Sequence, residues 1–551
     1  MALVHVDKGQ SCRFRKMRPS TDDDGQDNTL VILLAAKGQK EFENAYDVFD
    51  DLFAKVSPGI VIAAQLKPES GNSAEVEIPY GLQKLAEEHN VGTLRGCLIK
   101  AISNEDGFNN HWPTYYPEVL SSIGLGKTDL NLLHFHVSAG SFPVSSAILN
   151  LSRILDCSSW VTLEDRDQGK WLASEITPPD ITSAQASTFA KCAEDAIASG
   201  GPRPFSPSEL QSIAGTPKSK GVSRSMSEVI SKGLIEKISE KSYSGEVQYL
   251  PTEDALLEGI FSLSSKTSET LPKSPQTGIM ITARASWSKD QFISFLQEHG
   301  FPLQASKIAL IVCDFADNPD LIQKGAEFAE AVNALTGRSL VEGVRTCDQL
   351  IPVHGETDLS SCSFRILSQM HSIIRGNDGL MIDWSIISTG IPAILRHHFQ
   401  RYAQTVGLTI LDPIRGLSSG SGTRGAKFDL SGKDIVTHRI EVPSIGEIRK
   451  LQRIWCDDRM HVSESLATCL MYSDHSDGSP LPRDRLRELN HTFFEPGEWQ
   501  YSDHNNPKDV ARKSIERLQE LGAITDRKDA FELTDVGEAG ARLVRIRKEA
   551  L

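Results

Sequence analysis

Residues Leu132–Leu155 read LLHFHVSAGSFPVSSAILNLSRIL. Leu132–Val137 is a largely apolar run of strand length. Ser138-Ala139-Gly140-Ser141 follows, four small residues suited to a tight turn. Pro143–Leu155 then sets apolar residues at helical spacing behind a proline, which the first turn of a helix tolerates. A strand, a small-residue turn and a helix in that order are one repeat of a helix-covered parallel sheet.

The same grammar extends on the N-terminal side. Leu30–Ala36 (LVILLAA) and Ile60–Leu66 (IVIAAQL) read as buried strands, and Leu94–Ala101 as a further one. Between the first two, Phe42, Ala45, Val48, Phe49 and Leu52 fall on one helical face, and a second helix is expected over Gly81–Glu88. The order recurs in the second half. Lys307–Phe315 (KIALIVCDF) is expected to be its opening strand, followed by a helix over Leu321–Leu335 and a strand over Val344–Val353. A helix over Cys362–Ile374 and a strand over Leu380–Trp384 come next. The turn Ser388-Thr389-Gly390, a helix over Pro392–Val406 and a strand at Leu408–Leu411 close the copy.

A second kind of segment follows each α/β copy. The first contains Ser206–Ile213, Gly221–Ile235 and Tyr249-Leu250-Pro251-Thr252; the second contains Leu481–Leu489, Pro507–Ile524 and Phe531–Gly537. With Gly233 set against Gly522, Ser225 falls on Ser514, Met226 on Ile515, Val229 on Leu518 and Ile235 on Ile524. Each is an apolar-faced helix stopped at glycine, then a hairpin that ends near threonine. That pattern predicts a winged helix, whose recognition helix enters the DNA major groove. The cations on these helices are the candidate DNA contacts: Lys220 and Arg224 in the first, Lys508, Arg512, Lys513 and Arg517 in the second. Lys237, Lys241, Arg527 and Lys528 lie on the expected wings.

The fold class is therefore α/β: two Rossmann-like parallel-sheet units, each followed by a winged helix-turn-helix unit. The expected divisions are 1–160 for the first α/β unit and 161–261 for the first winged helix. A Ser/Thr/Pro-rich linker is expected at 262–277, the second α/β unit at 278–415, and the second winged helix, with a flexible leading loop, at 416–551.

Composition narrows the function. The chain has 551 residues and a net charge of −15, which argues against wholesale coating of nucleic acid but leaves room for a local basic helix. No run of 18 apolar residues occurs, so no membrane partner is expected. The nine cysteines are scattered without a CxxC pair, as in a reduced, cytoplasmic protein.

The turn after a central strand is where a parallel sheet binds ligand, because bare N–H groups at a helix N-terminus attract phosphate. Ser138, Gly140 and Ser141 fill that place in the first copy; Ser388, Thr389 and Gly390 fill it in the second. Lys37 and Asp314, after the two expected opening strands, supply the facing walls. No full dinucleotide or P-loop fingerprint is present, so neither NAD nor ATP is expected as a cofactor. Adjacent His397-His398 point about 100° apart on a helix, and Asp474-His475-Ser476-Asp477 reads as a solvated loop, so no metal site is expected. Asp429, Asp434, Glu441, Glu447 and Lys450 do not form an Asp…Glu-x-Lys array, and no catalytic residue is assigned. His111–Tyr116 (HWPTYY) reads as an anchoring insertion loop.

The Leu132–Leu155 stretch resembles the strand–turn–helix of the CRISPR-associated Rossmann-fold (CARF) domain. The family's typical Asn/Asp-x-Ser/Thr-Gly-Gly-Thr/Asn turn corresponds here to His136–Ser141, with Ala139 in place of its first glycine. Asp383–Gly390 is the second, more divergent copy. A CARF unit followed by a winged helix is the layout of CARF-type transcription regulators. The resemblance implies that two CARF units pair and hold a cyclic oligoadenylate between them. One chain would then carry both halves of the pair and regulate transcription in CRISPR-linked antiviral defence, with double-stranded DNA or a protein of the defence system as partner. Two other readings stand beside it: a ligand-activated effector nuclease, and a non-enzymatic scaffold whose degenerate CARF units have lost their ligand.

Overall fold

The computed structural model describes residues 30–35, 45–67, 78–100, 103–104, 107–108, 111–124, 133–137, 142–165, 170–176, 181, 183–214, 229–238, 248–268, 276–284, 287–298, 307–313, 321–336, 345–346, 356–375, 382–387, 393–415, 435–457, 460–476, 479–482, 485, 507–527 and 530–550.

The branched apolar run Leu30–Ala35 forms strand β1, and helix α1 (Ala45–Val56) leads from it to β2 (Ile60–Lys67). Phe49, Leu52 and Phe53 of α1 are buried, as the helical spacing requires. Helix α2 (Tyr80–Glu88) and strand β3 (Thr93–Lys100) follow, then a two-residue pair β4 (Ser103–Asn104) and β5 (Gly107–Phe108). Helix α3 (Trp112–Ile123) precedes β6 (Leu133–His136), α4 (Phe142–Leu155), β7 (Ser158–Asp165) and β8 (Lys170–Glu175). The strands order as β3-β2-β1-β6-β7-β8. β1 pairs in parallel with both β2 and β6, and β2 with β3, and β6 with β7, are parallel too.

Next come α5 (Ser183–Ser199), α6 (Pro207–Ala214), β9 (Ile235–Ile238), β10 (Gln248–Pro251) and α7 (Glu253–Ser268). The second sheet contains β11 (Gln276–Arg284), α8 (Lys289–Glu298), β12 (Lys307–Cys313), α9 (Leu321–Thr336), β13 (Arg345–Thr346) and α10 (Glu356–Arg375). It is completed by β14 (Ile382–Ile387), α11 (Ala393–Val406), β15 (Thr409–Arg415) and β16 (Ile435–Ile440). Its order, β13-β12-β11-β14-β15-β16, repeats the first sheet position by position. All its pairings are parallel except β15 with β16, which is antiparallel. The last segment holds α12 (Ile445–Trp455), α13 (Met460–His475), β17 (Leu481–Pro482), α14 (Pro507–Glu520), β18 (Ile524–Arg527), β19 (Ala530–Leu533) and α15 (Asp535–Ala550).

Four expectations need correction. The second copy opens with β11, not with Lys307–Phe315. The apolar core of β11, Ile279–Ala283, sits directly behind the Ser/Thr/Pro-rich stretch whose composition suggests a boundary. Asp314 therefore follows the counterpart of β2 and is not the equivalent of Lys37. The linker expected at 262–277 is helix α7 as far as Ser268, with Leu263 buried, and strand from Gln276. Trp112–Tyr116 begins a helix rather than a loop, with His111 as N-cap and Gly124 in the left-handed conformation as its stop. Finally, residues 435–440, expected to belong with the last segment, complete the second sheet.

The chain packs as two compact units. One combines Met1–Trp160 with Val442–Leu551; the other is Val161–Glu441, and the division falls inside β7. Strands β1, β2, β3 and β6 of the first sheet thus share a unit with the helix–hairpin segment that follows the second sheet, and the second sheet shares one with the segment that follows the first. In the first unit, α15 packs on α3, and α12 packs on α4. Thr114 of α3 donates its hydroxyl to Glu538 of α15 at 3.3 Å. In the second unit, α7 packs on α10 and α11. Arg401 of α11 makes a bidentate ion pair with Glu258 of α7 and lies over the ring of Phe261, 4.1 Å from its centroid. Helices α5 and α7 approach so closely that a Cβ at Gly259 would lie 2.2 Å from the carbonyl oxygen of Phe189.

Candidate functional site

The order of each sheet creates one switch point. From β1 the chain goes to β2 on one side and later returns to β6 on the other; β11 stands in the same relation to β12 and β14. Because these strands are parallel, the segment after β1 and the segment after β6 leave adjacent strands at their carboxyl ends. Such a crevice is the ligand position of an open α/β sheet. The turn of Ser138, Gly140 and Ser141 lies between the end of β6 and the start of α4. Ser388, Thr389 and Gly390 lie between the end of β14 and the start of α11. These six residues, with Lys37 and Asp314, are themselves outside the described residues.

At the end of β6, the structure adds a residue that the sequence does not single out. His136, the last residue of β6, is 1% exposed and meets Phe49 edge-on, with ring centroids 4.9 Å apart. Burial pushes its pKa down to about 3, so the imidazole is neutral at physiological pH and provides no cation for a phosphate. His134, two residues earlier on the same strand, accepts a hydrogen bond at Nδ1 from the Trp160 indole, 3.0 Å away. The alternating HFH run was the available signal: on a strand, His134 and His136 share a face by spacing, and burial alone separates their environments.

Trp112, Tyr115 and Tyr116 are buried in the layer of α3, so they build core. Tyr116 accepts from Asn150 of α4 at 2.7 Å. In the second copy, His397 is buried and its ring lies 5.2 Å from that of His398, which stacks near Phe261. Among the described residues no group of three His, Cys, Asp or Glu side chains could hold a metal ion. Glu447, one of the carboxylates considered for nuclease chemistry, is engaged in the capping box of α12: its side chain accepts from the Ser444 backbone N–H while Ser444 caps Glu447.

The two helix–hairpin segments repeat each other closely. Gly233 and Gly522 both have φ of 66°, a left-handed stop that favours glycine. The hairpin β9–β10 is antiparallel and gains a bridge between Phe205 and Tyr249. The hairpin β18–β19 is antiparallel and gains β17 through Leu481 opposite Phe531. In sequence, residues 239–247 separate β9 from β10, and residues 528–529 separate β18 from β19.

Helix α14 buries Ser514, Leu518 and, just beyond it, Leu521, spaced at i, i+4 and i+7. Arg512 and Lys513 face outward. Arg512 pairs with Glu516 at 3.2 Å. Arg517 is committed to the buried carboxylate of Asp457 at 3.2 Å and to Glu520 at 3.0 Å. Lys508 lies in the first turn of α14, with its side chain outside the described residues; Lys220 and Arg224 are outside them entirely.

A cavity of about 360 Å³ lies between α13, β19 and α15, lined among others by Leu470, Phe531, Asp474, Glu532 and Glu538. Its carboxylates repel anions, so it is not a site for a phosphate ligand. Cys469 on its wall has its thiol pushed up to about 12 by burial, which leaves no nucleophilic thiolate.

No known protein family matches this chain, and no curated protein does. Two solved structures share a weak likeness. Protein VC1899 from Vibrio cholerae is 9% identical, over 56% of this chain and 97% of that one, with a TM-score of 0.17. Csm6 from Enterococcus italicus, solved bound to cyclic hexa-2'-fluoro-hexa-dAMP, is 8% identical, over 69% of this chain and 94% of that one, with a TM-score of 0.21. No helix among the described residues is long and apolar enough to cross a membrane.

Proposed function

We propose that the chain is a nucleotide-signal-sensing regulator of CRISPR-linked immunity. Its two α/β units act as CARF domains, and a cyclic oligoadenylate binds at the turns Ser138–Ser141 and Ser388–Gly390. The two helix–hairpin segments act as winged helices that bind double-stranded DNA or a partner protein. The observation that carries this reading is the repeat itself: two sheets of one strand order, each with a Ser/Gly-rich turn at its switch point, and two helix–hairpin segments with matching glycine stops. Backbone N–H groups and hydroxyls at those turns suit phosphate oxygens. Ligand that favours one arrangement of the α/β units shifts the presentation of the helices by its differential affinity.

The test is the melting temperature of the full chain with cyclic tetra-adenylate and cyclic hexa-adenylate. A ligand at a hundred times its Kd stabilises by about 2.7 kcal/mol, a readily measured shift. No shift with either ring well above micromolar concentration removes the sensing role.

One observation favours a protein partner over DNA. Arg512 and Arg517 of α14 are already ion-paired within their own segment, which lowers the positive potential available to a phosphate backbone. A DNA-binding experiment at two salt concentrations separates the two: affinity for DNA falls steeply with salt, and its absence at low salt leaves the protein-partner reading.

A further inference from the structure

The cavity between α13, β19 and α15 is formed within the last helix–hairpin segment and includes no residue of the expected ligand turns. Part of its wall is apolar: Leu470 of α13, Leu481 of β17 and Phe531 of β19 line it and are otherwise buried. Its 360 Å³ falls in the range of small-ligand sites, about 300–1,000 Å³.

The polar part of the wall is acidic. Asp474 near the end of α13, Glu532 of β19 and Glu538 of α15 each bring a carboxylate, and Ser473 adds a hydroxyl. Among the described residues no Lys, Arg or His lines the cavity. Two guanidiniums approach the three carboxylates without entering its wall. Arg542 lies 3.1 Å from Glu538 and 3.9 Å from Asp474, and Arg527 pairs with Glu532 along the hairpin. Glu538 is the best satisfied, since it also accepts from Thr114 at 3.3 Å and has His111 at 3.6 Å from its other oxygen. Asp474 is the least satisfied: 3.9 Å to Arg542 is beyond hydrogen-bond reach. The Arg527–Glu532 pair is exposed, and an exposed pair contributes little and is readily exchanged.

An apolar wall beside carboxylates with acceptor capacity to spare suits one kind of guest. An anion is repelled. A neutral apolar molecule would strip water from the carboxylates and give them nothing in return. An ammonium or guanidinium on an aliphatic stem satisfies both surfaces: its N–H groups donate charge-assisted hydrogen bonds, and its methylenes cover the leucines and the phenylalanine. We propose that this cavity binds an organic cation, an alkylammonium or alkylguanidinium, with Asp474 and Glu532 as charged acceptors and Leu470, Leu481 and Phe531 as the seat of the stem. Free polyamines carry that chemistry, and so does the Lys or Arg side chain of a polypeptide. The site is separate from nucleotide sensing and stands or falls without it.

Calorimetric titration of the full chain tests it. The probes are spermidine, agmatine, a short blocked peptide with an arginine between leucines, and the same peptide with glutamine in place of the arginine. The chain's net charge of −15 attracts any cation, so variants carry the decision. Asp474→Asn and Glu516→Gln each remove a negative charge from an exposed side chain, the first at the cavity and the second on α14. Asp474→Asn is expected to weaken cation binding about tenfold or more, and Glu516→Gln to leave it unchanged. Ser473→Phe fills the cavity without altering charge and is expected to abolish binding. Should that variant fail to fold, the exposed Asp474→Asn change still decides. Whichever binds tighter, the free amines or the arginine peptide, identifies the source of the cation. Equal affinity of the Asp474→Asn and Glu516→Gln chains, a glutamine peptide that binds as well as the arginine peptide, or no binding of any cation at millimolar concentration overturns the proposal.

Discussion

Thr534 donates its hydroxyl to the carbonyl of Gly522 across 2.7 Å, and the same bond joins Thr252 to Gly233 at 3.2 Å. The two pairs tie the end of each helix to the strand that closes its hairpin, and they show that the duplication extends to single hydrogen bonds. A left-handed glycine leaves the carbonyl turned toward the returning strand, where a threonine hydroxyl meets it.

Replacing either glycine tests this. Gly233→Ala places a Cβ in open space, so its cost is the left-handed backbone alone, about 1–2 kcal/mol. At Gly522 the new Cβ would also lie 2.8 Å from Lys450 Nζ, the movable end of a long side chain, so Gly522→Ala is expected to cost a similar amount. Denaturant unfolding of each variant measures the difference. A Gly522→Ala loss several times larger than that of Gly233→Ala would mean that Lys450 is held in place.

Removing one partner of the buried Glu258–Arg401 pair strands the other. Arg401→Met is expected to destabilise the second unit by about 3–5 kcal/mol. Glu258→Leu on top of it should recover part of that loss, because no uncompensated charge is then buried. Urea midpoints of the single and double variants give the coupling, and a double variant no more stable than Arg401→Met alone contradicts the pairing.

Acid should weaken both units through histidine. Burial lowers the pKa of His136 to about 3 and of His371 to about 4, against about 6.5 when unfolded. Their folded values are depressed, so below about pH 6.5 the unfolded chain takes up protons that the folded chain refuses. Stability then falls by about 1.4 kcal/mol per pH unit for each histidine until the folded values are reached. Above pH 7 this contribution is flat. Unfolding midpoints between about pH 7.5 and about pH 5 check the slope, and His371→Leu should remove His371's share and leave that of His136.

If α14 reads DNA, Arg512→Ala with Lys513→Ala should weaken binding and reduce the salt slope by about 2, while Arg517→Ala should mainly destabilise the fold, since its guanidinium holds Asp457. Affinity measured across a salt series distinguishes these effects. An unchanged slope removes Arg512 and Lys513 from the interface.

Much of the architecture was legible in particular residues. The run at Leu30–Ala36 and the strand–turn–helix at Leu132–Leu155 fall within a residue or two of the observed elements, because buried parallel strands and amphipathic helices leave strong periodic signals. Strand β11 was missed because Gln276-Thr277 extends a polar, proline-containing stretch, and composition masked the apolar residues behind it. The helix at Trp112 differs from the insertion loop expected there, and Pro113 sits where a helix start accepts it. The expected ligand turns fall between the correct strands and helices, but which groups line them lies outside the described residues. The regrouping of segments across the two halves left no local trace, because packing partners far apart in sequence are not encoded by spacing.

The paired strands of the two hairpins stand unequally far apart in sequence, with 239–247 between β9 and β10 and 528–529 between β18 and β19. A homodimer meets its target with two identical arms and is bound to palindromes or to twofold partners. Fusing the duplicates into one polypeptide lifts that obligation. Under the regulatory role proposed above, each segment would be free to accumulate its own changes, and a single molecule would suit a target without twofold symmetry.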